Sequence, residues 1–274
     1  MTFYIPKFNE LIAPANWESV EFISDLHLCE SQPKTFLAWK RYMESTTASA
    51  LFILGDLFEA WIGDDVVRTG INAQSDDLIF EEQCAQVLQA VGQRLDLYVM
   101  HGNRDFLIGN RLMQHCHATL LNDPTVLIFQ GQRTVLSHGD QLCLSDTQYL
   151  KFRSVVRRPE WIHEQLSKPI TVRRELARQM RLQSEQAHNI SGVSLQNCYQ
   201  FDVDASAATD WLVATQAKTL IHGHTHQPQN HILPTQQNPD LLRIVLSDWD
   251  LDKKDKKAEV LRWQNQEFKR IAWQ

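Results

Sequence analysis

Five short clusters of Asp, His, Asn and Glu recur along this chain, each directly after an apolar run of strand character. They are Asp25-x-His27 after residues 20–24, Gly55-Asp56-x-x-Glu59 after 51–54, and Gly102-Asn103-Arg104-Asp105 after 97–100. The last two are His138-Gly139-Asp140 after 134–137 and Gly223-His224-Thr225-His226 after 219–222. Residues just past the carboxyl ends of parallel strands line the ligand crevice of an α/β sheet. The placement therefore predicts one pocket shared by clusters far apart in sequence. Singly, each cluster is ordinary: a Gly-Asp or Gly-Asn is turn chemistry, and a lone histidine is commonly just hydrogen-bonded. Together they supply carboxylate and amide oxygens with several imidazoles, a donor set suited to Mn²⁺, Fe²⁺, Co²⁺ or Zn²⁺. The donors outnumber the needs of one ion, which points to a two-metal hydrolytic centre.

Elsewhere the pattern is mixed α/β. Helices are expected over 35–44 and 76–95; in the second, Leu78, Ile79, Val87, Leu88 and Val91 fall near helical spacing, and Asp76 and Asp77 suit the N-terminal dipole. Strands alternate with helices to about residue 140, the βαβ signature of a partly parallel sheet. A further strand is expected at 241–246, and a closing hairpin at 259–263 and 268–273 around Gln264-Asn265-Gln266. One domain spanning 1–274 is expected, with a helical insertion at about 145–202 where the strand pattern stops. From 151 to 181 there are nine Lys or Arg against three Glu, interleaved with Val155, Val156, Trp161, Ile162, Leu166, Ile170, Val172, Leu176 and Met180. Such helices are either an ordinary insertion with a solvated basic face or a cap, apolar inside and basic outside.

Composition narrows the partners. The formal net charge of −6 (27 basic against 33 acidic residues) argues against a nucleic-acid binder. The five cysteines are odd in number and scattered, which suggests reduced thiols in a cytosolic setting. No apolar stretch approaches the ~20 residues of a membrane span, so membrane contact is expected to be peripheral. Nothing points to an obligate protein partner.

The ordered set resembles the calcineurin-like metallophosphoesterases, whose pattern is D-x-H, G-D-x-x, G-N-H-[DE], H and G-H-x-H; the third block here reads Gly102-Asn103-Arg104-Asp105. Within them the chain more closely resembles the UDP-2,3-diacylglucosamine pyrophosphohydrolases of bacterial lipid A synthesis. That likeness rests on Ser24 to Leu28, ILGDLFEAWIGDD at 53–65, HGNRDFL at 101–107, His138-Gly139-Asp140 with Leu142-Cys143, Tyr149, Phe152-Arg153 and IHGHTH at 221–226. The matches span about residues 21–228.

The resemblance implies a four-layer α/β/β/α sandwich with metals at one sheet edge and a helical lid. It implies two divalent ions, taken as Mn²⁺, with Asp25, His27 and His226 on the first and Asn103, His138 and His224 on the second. Asp56 would bridge them, a carboxylate having two oxygens where each imidazole has one free nitrogen. Asp56, Asn103, Arg104 and His224 are the expected catalytic residues. Glu59, Asp105 and Asp140 are expected to orient ligands, and His101 and His222 to be structural. Substrate contacts carry over to Asn103, Arg104, Asp146, Ser184, His188 and His224. Two of the family's lid positions differ: His188 stands where the family has Asn and Ser191 where it has Lys, and the stretch from Ser184 to His224 is about five residues longer. The stretch Ser247-Asp248-Trp249 also departs from the family ending; with the lysines at 253, 254, 256 and 257 it reads as a solvated turn or, alternatively, a lipid-headgroup contact.

Arg104 carries the most specific reading. Many phosphatases of this family have a histidine there, assigned to protonating the leaving group. Arginine, with a pKa above ~12, stabilises negative charge but donates no proton. Such a site favours a leaving group needing no proton, as a phosphate monoester with a second pKa of roughly 6–7 is. The expected reaction is water attack on the uridylyl phosphorus of UDP-2,3-diacylglucosamine, giving UMP and 2,3-diacylglucosamine 1-phosphate (lipid X), by an enzyme peripheral on the cytoplasmic face of the inner membrane. The alternatives are another dinuclear enzyme, such as a nucleotide phosphodiesterase, and a non-catalytic scaffold of the same fold.

Overall fold

The computed structural model describes residues 5–68, 78–190, 201–233 and 240–273, with side chains throughout except at 181–190. In chain order the first half runs β1 (Asn9–Ile12), β2 (Ser19–Ile23), α1 (Pro33–Ser45), β3 (Ala50–Leu54), α2 (Phe80–Gly92), β4 (Asp96–Met100), α3 (Asn110–His115), β5 (Ala118–Leu121), β6 (Thr125–Phe129) and β7 (Gln132–Leu136). Three helices follow, α4 (Thr147–Val156), α5 (Pro159–Leu166) and α6 (Ile170–Ile190). The chain then forms α7 (Ala205–Thr215), β8 (Thr219–His222), β9 (Gln229–Leu233), β10 (Leu241–Val245), β11 (Glu259–Gln264) and β12 (Glu267–Ala272).

The strands make two mixed sheets of six, ordered β12-β11-β2-β3-β4-β5 and β1-β6-β7-β8-β10-β9. Strands β2 to β5 run parallel in the first, and β7, β8 and β10 in the second. Alternation along each strand explains the layering. Phe22, Phe52, Leu54 and Met100 face Leu127, Leu136, Ile221 and Ile244 between the sheets. Ile23, Leu51, Ile53, Leu97 and Val99 point outward against α1, α2 and α3. On the far side, Val126, Val135 and Leu220 pack on Trp211 and Leu212 of α7. Strands buried on both faces read as unbroken apolar runs, and that is why the sequence shows them so clearly. The result is the expected α/β/β/α sandwich.

Several expectations needed adjustment. Helix α2 is shorter than 76–95: it begins at Phe80, with Glu82 accepting from the Ile79 N–H at 3.2 Å, and Asp76 and Asp77 lie outside the described residues. The hairpin pairs Gln264 with Glu267, leaving Asn265-Gln266 as a two-residue turn with φ of 52° and 63°, as a primed turn requires. Strands β1, β5, β6 and β9 and helices α3 and α7 match no span named from the sequence. The segment after β10 is no solvated turn. Ser247 and Trp249 are buried, and the Trp249 N–H donates to Asp25 O at 3.0 Å, so the exposed stretch is 253–257 beyond it. Cys29, Cys84, Cys116 and Cys143 are free thiols, and Cys198 lies outside the described residues. No described helix is long and apolar enough to cross a membrane.

Helices α4 to α6 replace the strand pattern where the sequence placed the insertion, yet their polarity differs from the expectation. Arg173 is buried, bonded to Ile62 O and paired with Asp65, while Arg153 and Arg157 turn toward the body of the protein. Phe152, Val155, Leu166, Val172 and Met180 are exposed. Helical spacing cannot reveal which arginines turn inward, because an arginine stem packs as an apolar group while its head finds a buried acceptor; Lys151, Arg158, Arg174 and Arg178 stay exposed.

One buried charge ties β2 to its neighbours. Glu21 accepts from Tyr42 at 2.7 Å, from Thr46 at 2.6 Å and from Arg262 at 2.8 Å. Glu21→Ala strips the acceptor from all three, and is expected to cost about 3 kcal/mol, read from the midpoint of urea unfolding.

Candidate metal centre

The ends of β2, β3 and β8 deliver their donors through a backbone that an ordinary side chain avoids. Asp25, His27, Asp56, His224 and His226 all lie in the left-handed region, at φ of 52°, 46°, 51°, 67° and 52°. Such a conformation costs a non-glycine residue on the order of 1 kcal/mol. Backbone bonds hold it. The parallel ladder of β2 and β3 continues past its end, with Asp25 N–H to Gly55 O at 3.1 Å, His27 N–H to Asp56 O at 3.0 Å and Leu28 N–H to Leu57 O at 3.0 Å.

The five clusters do converge, across the carboxyl ends of both sheets rather than at one sheet edge. Strands β2, β3 and β4 bring Asp25, His27, Asp56 and Asn103, and β7 and β8 bring His138, His224 and His226. One donor atom each from Asp25, His27 and His226 lies within 4.8 Å of the others, and the same holds for Asp25, Asp56 and His138. The Nε2 atoms of His27 and His226 face each other at 3.2 Å, and Asp25 Oδ1 is 3.3 Å from His226 Nε2. Donors about 2.0–2.2 Å from a shared ion stand at separations of this size, so the residues fit a divalent cation. Asp56 Oδ2 is 3.8 Å from His27 Nε2 and 3.8 Å from His138 Nε2, a position suited to a bridge. Asn103 Oδ1 sits 2.9 Å from both His138 Nε2 and His224 Nδ1.

Oxygens stand behind the rings. His138 Nδ1 bonds Leu54 O at 3.0 Å, leaving Nε2 toward the centre. Glu59 Oε2 lies 3.1 Å from His27 Nδ1, off the N–H axis, and Asp248 Oδ2 lies 3.7 Å from His226 Nδ1. Such partners fix ring orientation and raise ligand basicity. Asp105 clips loops together, accepting from Gly102 N–H and Leu57 N–H at 2.8 Å each. Among the described residues Asp140 makes no hydrogen bond to a candidate ligand; it accepts from Tyr149 and from Arg153 at 2.8 Å, and the Tyr149 ring stacks on His224. His101 Nε2 reaches Ile108 O at 2.7 Å, and buried His222 bonds Gly223 O, both structural placements.

The charges are strongly coupled. Burial opposes ionisation of Asp25, yet attraction to His226, with His138 and His27, holds its carboxyl well below the usual range. Burial raises the Asp56 pKa despite His138 and His27. His138 resists its own burial and rises to about 9 under the pull of Asp56, Asp25 and Asp140. Burial and the neighbouring His138 push His224 down to about 3. The acids gather positive charge, as a cation site does.

Arg104 lies against this cluster. Its N–H donates to Asp56 Oδ1 at 2.8 Å, and its Nη1 is 3.8 Å from Glu59 Oε1. Among the described residues its buried Nε has no acceptor. The predicted lid contacts are placed less fully. Asp146 Oδ1 caps α4 through the Tyr149 N–H at 3.0 Å, and the side chains of Ser184 and His188 lie outside the described residues, as does Ser191. Sequence reasoning missed three supports. Asp123 accepts from Ser137 at 2.6 Å and from the His138 N–H at 3.2 Å, Asp248 backs His226, and Arg157 reaches Gly102 O. Asp123-Pro124 looks like plain turn chemistry, and no spacing ties any of the three to a ligand.

Residues 20–228 match the calcineurin-like phosphoesterase family. The chain belongs to this family. A UDP-2,3-diacylglucosamine hydrolase of Cellvibrio japonicus is 40% identical over 230 residues, covering 83% of this chain and 90% of that one. Another, from Chromobacterium violaceum, is 38% identical over 238 residues, covering 84% and 90%. Among solved structures, an archaeal phosphodiesterase covers 93% of this chain and 99% of its own at a TM-score of 0.43 and 11% identity.

For this phosphoesterase the glycines of the motifs matter through close approach. A Cβ on Gly102 would stand 2.0 Å from Asp56 Oδ1 and 2.3 Å from its backbone nitrogen, and one on Gly223 would stand 2.3 Å from Asp25 Oδ2. Gly102→Ala must therefore displace Asp56. Metal content after gel filtration is expected to fall below that of the parent, and an unchanged content would show that the loop absorbs the methyl group.

Proposed function

We propose that this metal-dependent hydrolase cleaves the pyrophosphate of UDP-2,3-diacylglucosamine, yielding UMP and 2,3-diacylglucosamine 1-phosphate in lipid A biosynthesis. The observation that carries the reading is Arg104, anchored by its backbone to Asp56 with a guanidinium Nε that has no acceptor among the described residues. The names of relatives at 38–40% identity over most of the chain support it.

The donor set suits two ions, taken as Mn²⁺: one among Asp25, His27 and His226, the other among Asn103, His138 and His224, with Asp56 between them. When bound, such a pair lowers the pKa of a shared water and neutralises phosphoryl charge. In the proposed reaction, water oxygen bonds to the uridylyl phosphorus. The bond from that phosphorus to the bridging oxygen breaks, and the electron pair leaves with the lipid phosphate. Arg104 stabilises the growing charge on that leaving group without transferring a proton. Glu59 restrains both His27 and Arg104. Substrate contacts are proposed at Asn103, Arg104 and His224, beside that centre, and Asp146, Ser184 and His188 extend the proposal into the helical cap, which we take as an insertion at about 145–202 in one domain.

In heavy-oxygen water with Mn²⁺, the label is expected in UMP; label in the lipid phosphate would place the attack on the other phosphorus. Chelation should abolish turnover and Mn²⁺ restore it. Nucleotide diesters cleaved in preference to the lipid substrate would favour a different phosphoesterase. Arg104→His is expected to retain metal and lose turnover by about 100-fold or more. Undiminished turnover in that variant would refute the leaving-group argument.

The site of action is proposed as the cytoplasmic face of the inner membrane. Exposed Phe152, Val155, Leu166, Val172 and Met180 alternate with exposed Lys151, Arg158, Arg174 and Arg178 on α4 to α6. Apolar groups among cations suit an anionic bilayer surface. Sedimentation with phosphatidylglycerol vesicles is expected, weakening as salt rises; equal binding to neutral vesicles would count against it.

A further inference from the structure

Helix α4 meets the metal centre with one face. Tyr149, Arg153 and Arg157 recur at intervals of four and so lie above one another, Arg157 being the residue just past the last turn. Tyr149 donates to Asp140 and stacks on His224, with ring centroids 6.0 Å apart. Arg153 pairs with the same Asp140. Arg157 goes elsewhere: its Nη2 donates to Gly102 O at 2.6 Å, and its guanidinium lies 5.0 Å over the Phe106 ring.

That carbonyl belongs to the peptide joining Gly102 to Asn103. Both sides of Gly102 are thus pinned, its N–H by Asp105 at 2.8 Å and its carbonyl by Arg157. The peptide sets the direction of Asn103, whose Oδ1 sits between His138 and His224, and of Arg104, whose N–H rests on Asp56. Asp105 acts from within the same loop. Arg157 acts from a helix outside both sheets, through a charge-assisted bond of the stronger kind.

We propose that Arg157 is a positioning residue for Asn103 and Arg104, so that half of the metal centre is completed only when α4 is docked. The inference rests on reading Asn103, His138 and His224 as ligands. It makes the cap part of the metal site's own architecture, in addition to any contact with lipid.

The test compares Arg157→Ala, Arg157→Met and Arg157→Lys by Mn²⁺ titration and by amide exchange of residues 101–105 in the metal-free protein. In Arg157→Ala the ion on Asn103, His138 and His224 should weaken about 10–100-fold, as loss of an outer-sphere partner does. The ion on Asp25, His27 and His226 should keep its affinity. Exchange at 101–105 should quicken, and turnover lost at low Mn²⁺ should return at high Mn²⁺. Lysine, which still reaches the carbonyl, should restore much of both. Arg157→Met keeps the stem on Phe106 and removes only the donor, so it decides the question if the alanine variant fails to fold. Parental affinity for both ions with unchanged exchange would overturn the proposal. So would a rise in KM alone, which would make Arg157 a substrate contact. If the parent binds no second ion, the two-ion reading fails, while the exchange rates still report on Arg157.

Discussion

Two buried carboxylates, Asp25 and Asp56, set the terms for the rest of the molecule. Taking acids out of water is costly, and neighbouring like charges in a low dielectric raise that cost further. The protein answers with imidazoles: His226, His138 and His27 hold Asp25 ionised, and the same acids raise His138 to about 9. Acids that favour positive charge on His138 and His27 make a place that divalent ions can enter by displacing those protons. The same demand explains the backbone. Five donors accept a left-handed conformation because extended strands would point them apart; the continued ladder between β2 and β3 holds Asp25, His27 and Asp56 there, and the Asp25 carboxylate accepts from the His224 N–H.

The supports form a graded set around that centre. Asp105 and the motif glycines let the loops after β3 and β4 approach one another closely. Asp123 fixes the end of β7 behind His138, and Asp248 stands behind His226. Helix α4 adds a layer from outside the sandwich. Its arginines point inward to Asp140 and Gly102 O, and Arg173 of α6 does the same toward Asp65. The basic excess of this region therefore divides between internal clamps and a solvent face mixed with apolar side chains.

Much of the core was legible because period-two alternation in strands buried on both faces leaves continuous apolar runs, and their ends bracket the donor clusters. The hairpin at β11 and β12 and the helix α1 were legible for similar local reasons. The start of α2 was misplaced because Asp76 and Asp77 look like an N-terminus, whereas Glu82 makes the capping contact. The segment at Ser247 to Trp249 looked solvated because polar residues beside a lysine run usually are, yet Trp249 packs in the core and bonds the backbone of Asp25.

The sequence by itself determined which donor chemistry the chain carries, in what order, and that an arginine stands where a proton donor would otherwise be. Those are properties of residue type and of spacing along one strand end. Only the tertiary structure decided that the donors straddle two sheets, that the rings of His27, His138 and His226 present Nε2 because oxygens stand behind Nδ1 while His224 presents Nδ1, and that a cap helix braces Asn103. Each of these depends on contacts between segments tens to hundreds of residues apart, such as His27 with His226 or Arg157 with Gly102. Local periodicity carries no record of such distances, because many packings satisfy the same pattern of apolar and polar residues.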